Sequence, residues 1–122
     1  MHLVDRAAGA ALGIPFVWLG FDAVSEPGQR VRMAADFGVP RPEAAVRLNG
    51  AVMVAGGLAL ATGVQRRPAA AAVAAAMIPT TLAGHSFWQE SDPVVRKTSR
   101  IQFLKNLGLI GGLIAVAARP VD

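Results

Sequence analysis

The sequence predicts an all-α integral membrane protein built as a bundle of four spans. Apolar stretches at 7–24, 48–64, 68–85 and 101–118 are each 17 or 18 residues long, and the charged residues gather between them, where connecting segments meet water or headgroups. At ~1.5 Å per residue each stretch makes a helix of roughly 25 to 27 Å. That is a few ångströms less than a hydrocarbon core of about 30 Å, so spanning is feasible but tight. The competing fold, a soluble helical bundle, needs helices with a polar face. The run 68–83 carries no charge and only two hydroxyls. A helix apolar all round must lie in a large core or in lipid, and 122 residues cannot supply such a core for several helices at once.

The first span follows Arg6 and ends in Ala23-Val24-Ser25. That small-residue ending resembles a signal-peptide cleavage pattern, but the run is longer than most such cores and holds Trp18 and Asp22, which favours a retained helix. The linker 25–47 is the longest. Within it Val31, Ala34, Ala35 and Phe37 recur near helical spacing among charges, the pattern of a short interfacial helix; a solvated loop with one helical turn is the alternative. Pro40 and Pro42 end it, and Glu43 leads into the second span. Only Gln65, Arg66 and Arg67 separate spans two and three, which therefore form an antiparallel hairpin. The third linker, 87–100, is polar and ends in Arg96, Lys97 and Arg100. The economical organisation is one domain, 1–122.

Hydrophobic residues make up 53% of the chain and charged ones 16%. The net charge of +4 and the pI near 11.1 raise the question of nucleic acid. The basic residues are split among loops flanking apolar runs, so anionic headgroups are the expected counter-charge and no nucleic-acid partner is predicted. The absence of cysteine rules out disulfides, thiolate metal sites and thiol exchange, which argues against the four-helix thiol-oxidising enzymes related to vitamin K epoxide reductase. With His2 and His85 as its two histidines, the chain offers no metal site.

Small residues are placed for close helix approach. Gly9 and Gly13 form one G-x-x-x-G pair, Gly108 and Gly112 another, and Gly56 and Gly57 sit beside Ala55 and Ala59. Packing within the bundle is the first reading of these pairs, and a homo-oligomer interface the second.

Alternating topology brings the polar residues together. The far end of span one carries Asp22, span two starts there with Arg47 and Asn49, span three returns to end at His85, and span four starts with Gln102, Lys105 and Asn106. The terminal side offers Arg6, Arg66, Arg67 and Arg119 near span ends. Ionisable groups within a span cost about 2.5 to 3.5 kcal/mol at the centre unless paired or wet, so Asp22 is expected to pair with Arg47 or Lys105, and His85 to join either. Each residue also has a bland role: Arg47 and Lys105 as snorkelling cations, Asn49 and Asn106 as interhelical glue, His85, Phe87 and Trp88 as an interfacial belt. Their one-sided convergence favours a shared polar pocket of Asp22, Arg47, Asn49, His85, Trp88, Lys105 and Asn106.

Four stretches carry a family resemblance: Arg47-Leu48-Asn49-Gly50, Gly56-Gly57-Leu58-Ala59-Leu60-Ala61-Thr62-Gly63, Ala83-Gly84-His85-Ser86-Phe87-Trp88, and Phe103-Leu104-Lys105-Asn106-Leu107-Gly108 continuing to Leu113. In this order they resemble the DoxX family of small four-span bacterial membrane proteins. The family takes its name from a subunit of an archaeal thiosulfate:quinone oxidoreductase, and an actinobacterial member is associated with a membrane complex holding superoxide dismutase and a sulfurtransferase. The resemblance implies a bacterial cell-membrane location and a redox setting, and the alanine, arginine and proline usage is similar to that of high-GC actinobacterial members.

Two functions from different classes follow. In the first the chain is a redox-associated or quinone-interacting accessory subunit: His85, Lys105, Asn49 and Asn106 donate to a quinone headgroup, with Trp18, Phe87 and Trp88 as its wall. No covalent cofactor is implied and no self-contained catalytic motif is visible, so a flavin, haem or partner protein would carry the electrons. In the second, a non-catalytic scaffold recruits soluble partners through loops such as Arg96, Lys97 and Arg100. A small-solute transporter ranks third, since four short spans leave little room for alternating access. Lys and Arg outside the spans number slightly more on the far side, but there they lie in longer segments with several acids; cytoplasmic termini are the expected orientation.

Overall fold

The first helix, α1 (Leu3–Ser25), begins at His2, whose Nδ1 accepts from the Val4 amide at 3.4 Å, and runs through Pro15. The structure is a computed structural model that describes residues 2–120. Four further α-helices follow: α2 (Gln29–Asp36), α3 (Pro42–Thr62), α4 (Arg66–Gly84) and α5 (Pro93–Ala117), with a 3-10 turn at Phe87–Gln89. The described residues contain no strand, and α1, α3, α4 and α5 are each long and apolar enough to cross a membrane. The expected interfacial helix of the 25–47 linker is α2.

The helices overrun the apolar stretches. Pro42 starts α3 six residues before Leu48, because proline at a first helical position lacks only an amide that has no partner there. Likewise α5 starts at Pro93, where the Asp92 carboxylate accepts from the Val94 and Val95 amides at 2.9 and 3.3 Å. The polar segment expected as a linker before Ile101 is therefore two turns of helix. At the hairpin, Gly63 ends α3 at φ 83°, donating its amide to the Ala59 carbonyl at 2.9 Å, the left-handed cap that glycine favours. The turn is consequently Gly63, Val64 and Gln65, and Arg66 and Arg67 already belong to α4.

The helices pack in the order α1, α3, α4, α5. The α1–α3 seam is the closest. Gly9, Gly13, Phe16, Gly20 and Ala23 are the buried residues of α1, at alternating spacings of four and three. A Cβ on Gly57 would stand 2.7 Å from the Gly13 carbonyl oxygen, and one on Gly50 would stand 2.7 Å from that of Gly20. Adjacent Gly56 turns to the other side, where its Cβ would strike Val73 of α4. Two consecutive glycines thus serve two different neighbours, and backbone contact supplies the dispersion that lipid, being equally apolar, does not drive hydrophobically.

Leu60, Val73 and Leu113 are the largest fully buried side chains, one each from α3, α4 and α5, and Phe16 joins the same core from α1. Helix α5 stands apart: 6% of its span is buried, against 28%, 28% and 33% for the other three. Its packed face is Phe103, Asn106, Ile110 and Leu113, at spacings of three and four. On its opposite face Gly108 and Gly112 meet nothing within 4 Å among the described residues, so this G-x-x-x-G pair takes no part in the packing of the helices described.

Candidate functional site

The far end of the bundle is held by α2, which packs against α3 and α4. Ala34 of α2 is buried. Asp22, in the last turn of α1, meets Arg30 of α2 at 2.9 Å, rather than Arg47 or Lys105. The pairing follows from α2 folding back beside the end of α1, where the Arg30 guanidinium also donates to the Glu26 carbonyl at 3.3 Å. Arg47 is engaged instead with the Val24 carbonyl at the end of α1 and with Glu43 at 3.3 Å. A cation on the last carbonyls of a helix satisfies acceptors that the helix leaves open.

Deeper in the span, Asn49 of α3 donates to Thr80 Oγ1 at 2.5 Å, and Asn106 of α5 donates to Thr81 Oγ1 at 3.2 Å. Thr80 in turn donates to the Ala76 carbonyl at 3.0 Å. The hydroxyls of two adjacent residues on α4 therefore receive two asparagines from two different helices, α3 and α5. Thr81 is 3% exposed, and the asparagine amide removes the cost of burying its oxygen without a partner.

The third group lies at the α4–α5 corner. His85 follows the last residue of α4 and is half-buried, its amide donating to the Thr81 carbonyl at 3.0 Å. Beside it in sequence, Phe87 and Trp88 stand edge-on to each other at 5.3 Å, and Phe103 of α5 stands edge-on to both, at 5.4 and 5.7 Å. Such edge-to-face clusters add about 0.5–1.5 kcal/mol per pair beyond burial. Trp18, 78% exposed on α1, contributes no side to this cluster.

The polar residues of the far end thus form three local groups: the Asp22, Arg30, Glu43 and Arg47 charges, the Asn49–Thr80 and Asn106–Thr81 links, and His85 with its aromatic neighbours. Lys105 belongs to none of them. It is exposed on the outer side of α5, on the stripe that continues through Gly108 and Gly112, and none of the three ion pairs among the described residues includes it. Sequence reasoning passed over Arg30, Thr80, Thr81 and Phe103 as site members. The threonines had a usable signal, being the two hydroxyls in the run 68–83 at the end where both asparagines lie.

The residues quoted for the resemblance in α3 and at the end of α4 are those that build the glycine seam and the His85 corner. A family model described as DoxX matches residues 8–86. The chain belongs to the DoxX family. The match spans α1 to the end of α4 and stops before α5, so the resemblance in 103–113 rests on the residues alone. No curated protein and no solved structure matches this DoxX chain. Family and helices together make it a multi-pass membrane protein. Chemically, the DoxX far end offers engaged amides and hydroxyls, one half-buried imidazole and one outward ammonium. Among the described residues no three metal-binding side chains converge.

Proposed function

We propose that this DoxX protein is a non-catalytic accessory subunit of a membrane assembly, docked through α5 onto a helix of a larger partner. The observation that carries the reading is the outer face of α5, where Lys105, Gly108 and Gly112 share one stripe turned away from α4. Lipid gives glycine no packing advantage, and an ammonium inside a span is costly unless it is paired or reaches the headgroups. A partner helix that approaches closely and presents a carboxylate answers both. The archaeal quinone-oxidoreductase subunit that gives the family its name, and the actinobacterial member associated with superoxide dismutase and a sulfurtransferase, support a redox partner, which would hold the flavin or haem. The setting we infer is the bacterial cell membrane with both termini cytoplasmic, since Arg66 and Arg67 sit beside the shortest connection.

A photo-crosslinker at position 108 in native membranes tests this against one at position 18, also exposed but on α1. A discrete protein adduct from 108 alone is expected, and Gly108→Leu should abolish co-purification of that protein. Adducts with lipid alone from both positions would end the proposal, and adducts between copies of this chain would replace it with a homo-oligomer.

The aromatic corner favours a second reading, contact with a quinone headgroup. Phe87, Trp88 and Phe103 supply an apolar wall, and His85, two residues before Phe87 in the chain, supplies a hydrogen-bonding group. Quinone binding in nanodiscs, compared with His85→Ala and Phe103→Ala, tests it; wild-type protein that binds no quinone rejects it.

A further inference from the structure

At the terminal end, opposite the residues above, an open cavity of about 530 Å³ lies between the start of α4 and the end of α5. Its lining is mixed: Gln65, Arg66 and Arg67 supply polar groups, and Pro68, Ala71 and Ala117 an apolar surface. The two arginines differ in what they have left to offer. Arg66 is spent on structure, donating to the Leu60 carbonyl at 3.3 Å and the Asp5 carbonyl at 2.9 Å. Arg67 is exposed and anchored through Nε alone, on the Ala117 carbonyl at 3.2 Å. Among the described residues its two terminal nitrogens have no hydrogen-bond or ion-pair partner, although Arg67 lines the cavity. The nearby acid does not compete for them, since Asp5 is paired with Arg119 at 3.7 Å. Arg6, Arg66, Arg67 and Arg119 face Asp5 as the one described carboxylate of this end.

We propose that this cavity is a binding site for an anionic phospholipid, its phosphate on the Arg67 guanidinium and its first acyl carbons against Pro68, Ala71 and Ala117. The guanidinium fork matches a phosphodiester's two free oxygens. The cavity lies at the start of α4, one end of a helix long and apolar enough to span a membrane, where headgroups are expected, so a ligand that is charged at one end and apolar at the other fits both parts of its lining. A soluble phosphate would use the arginine and leave the apolar part bare. Its volume lies within the usual range for small-molecule sites.

The test is native mass spectrometry of the full chain released from micelles with equal phosphatidylglycerol and phosphatidylcholine. Retention of phosphatidylglycerol over phosphatidylcholine is expected. Arg67→Gln should reduce it about fivefold, the contribution of one interfacial arginine. Ala71→Leu keeps every charge but fills the apolar part, and should reduce it as much, whereas Arg6→Gln, outside the lining, should leave it unchanged. Equal retention of the two lipids would overturn the proposal. So would an equal fall in Arg6→Gln and Arg67→Gln, which would show a diffuse surface charge, and so would displacement of the lipid by millimolar glycerol 3-phosphate, which would assign the cavity to a soluble anion. Circular dichroism and thermal unfolding of each variant separate lost binding from lost fold.

Discussion

Gly13 of α1 and Gly57 of α3 face each other so closely that a Cβ built on either would collide with the other's carbonyl oxygen. The relation repeats one heptad along, with Gly20 against Gly50, and the pairing of rising with falling numbers makes the two helices antiparallel. This double pair sets the distance between α1 and α3, and no side chain can be added without driving the backbones apart.

Gly57→Leu should therefore destabilise the protein by about 1–3 kcal/mol, the usual cost of overpacking a close contact. Gly112→Leu, with open space around it, should leave the unfolding temperature of the isolated protein within the error of the measurement. Thermal unfolding in detergent compares the two directly. Equal loss in both variants would contradict the packing described here.

The asparagine–threonine links are separable by double-mutant cycles. Asn49→Leu and Thr80→Val should each destabilise α3–α4 packing, with a coupling of about 0.6 kcal/mol and at most ~2, as for other hydrogen bonds within membranes. Asn106→Leu should cost more in a Thr81 background than in Thr81→Val, because the buried Thr81 oxygen would otherwise lose its amide donor. Purely additive losses would show that the amides and hydroxyls do not act together.

Asp22→Asn tests what keeps α2 in place. The side chains of Asp22 and Arg30 are 49% and 38% exposed, so water and salt screen the pair and its loss should lower overall stability by less than about 1 kcal/mol. The local effect is larger: amide exchange in α2 should quicken while exchange in α3 stays unchanged. Added salt should reproduce part of that change in the wild type.

Arg66→Ala should be more harmful than Arg6→Ala, although both remove one positive charge from the same end. Arg66 bridges the end of α3 to the start of α1 through two carbonyls, and stripping donors from partly buried acceptors costs about 1–3 kcal/mol. Arg6 is exposed. Matched unfolding temperatures would mean that the bridge contributes nothing.

Four spans, one hairpin too tight to be anything but antiparallel and a short helix in the longest linker were all legible, because each rests on composition and spacing along the chain. Bilayer thickness selects length and apolarity, both of which are one-dimensional. Helix ends were less legible. The apolar count stopped at Leu48 and Ile101, while the backbone begins its helices at Pro42 and Pro93, where a proline and, for α5, the Asp92 cap decide the matter.

The partners of the polar residues required three dimensions. Alternating topology placed Asp22, Arg47, Asn49, His85, Lys105 and Asn106 at one level of the membrane, but level says nothing of the angle around each helix axis. That angle turned Asp22 toward α2, both asparagines toward neighbouring threonines and Lys105 away from the bundle. It also divided the glycines, giving Gly13, Gly20, Gly50 and Gly57 to the α1–α3 seam and leaving Gly108 and Gly112 outside. Hydropathy is read along the chain and carries the membrane architecture; which face of a helix meets which neighbour follows from the packing of all the helices together.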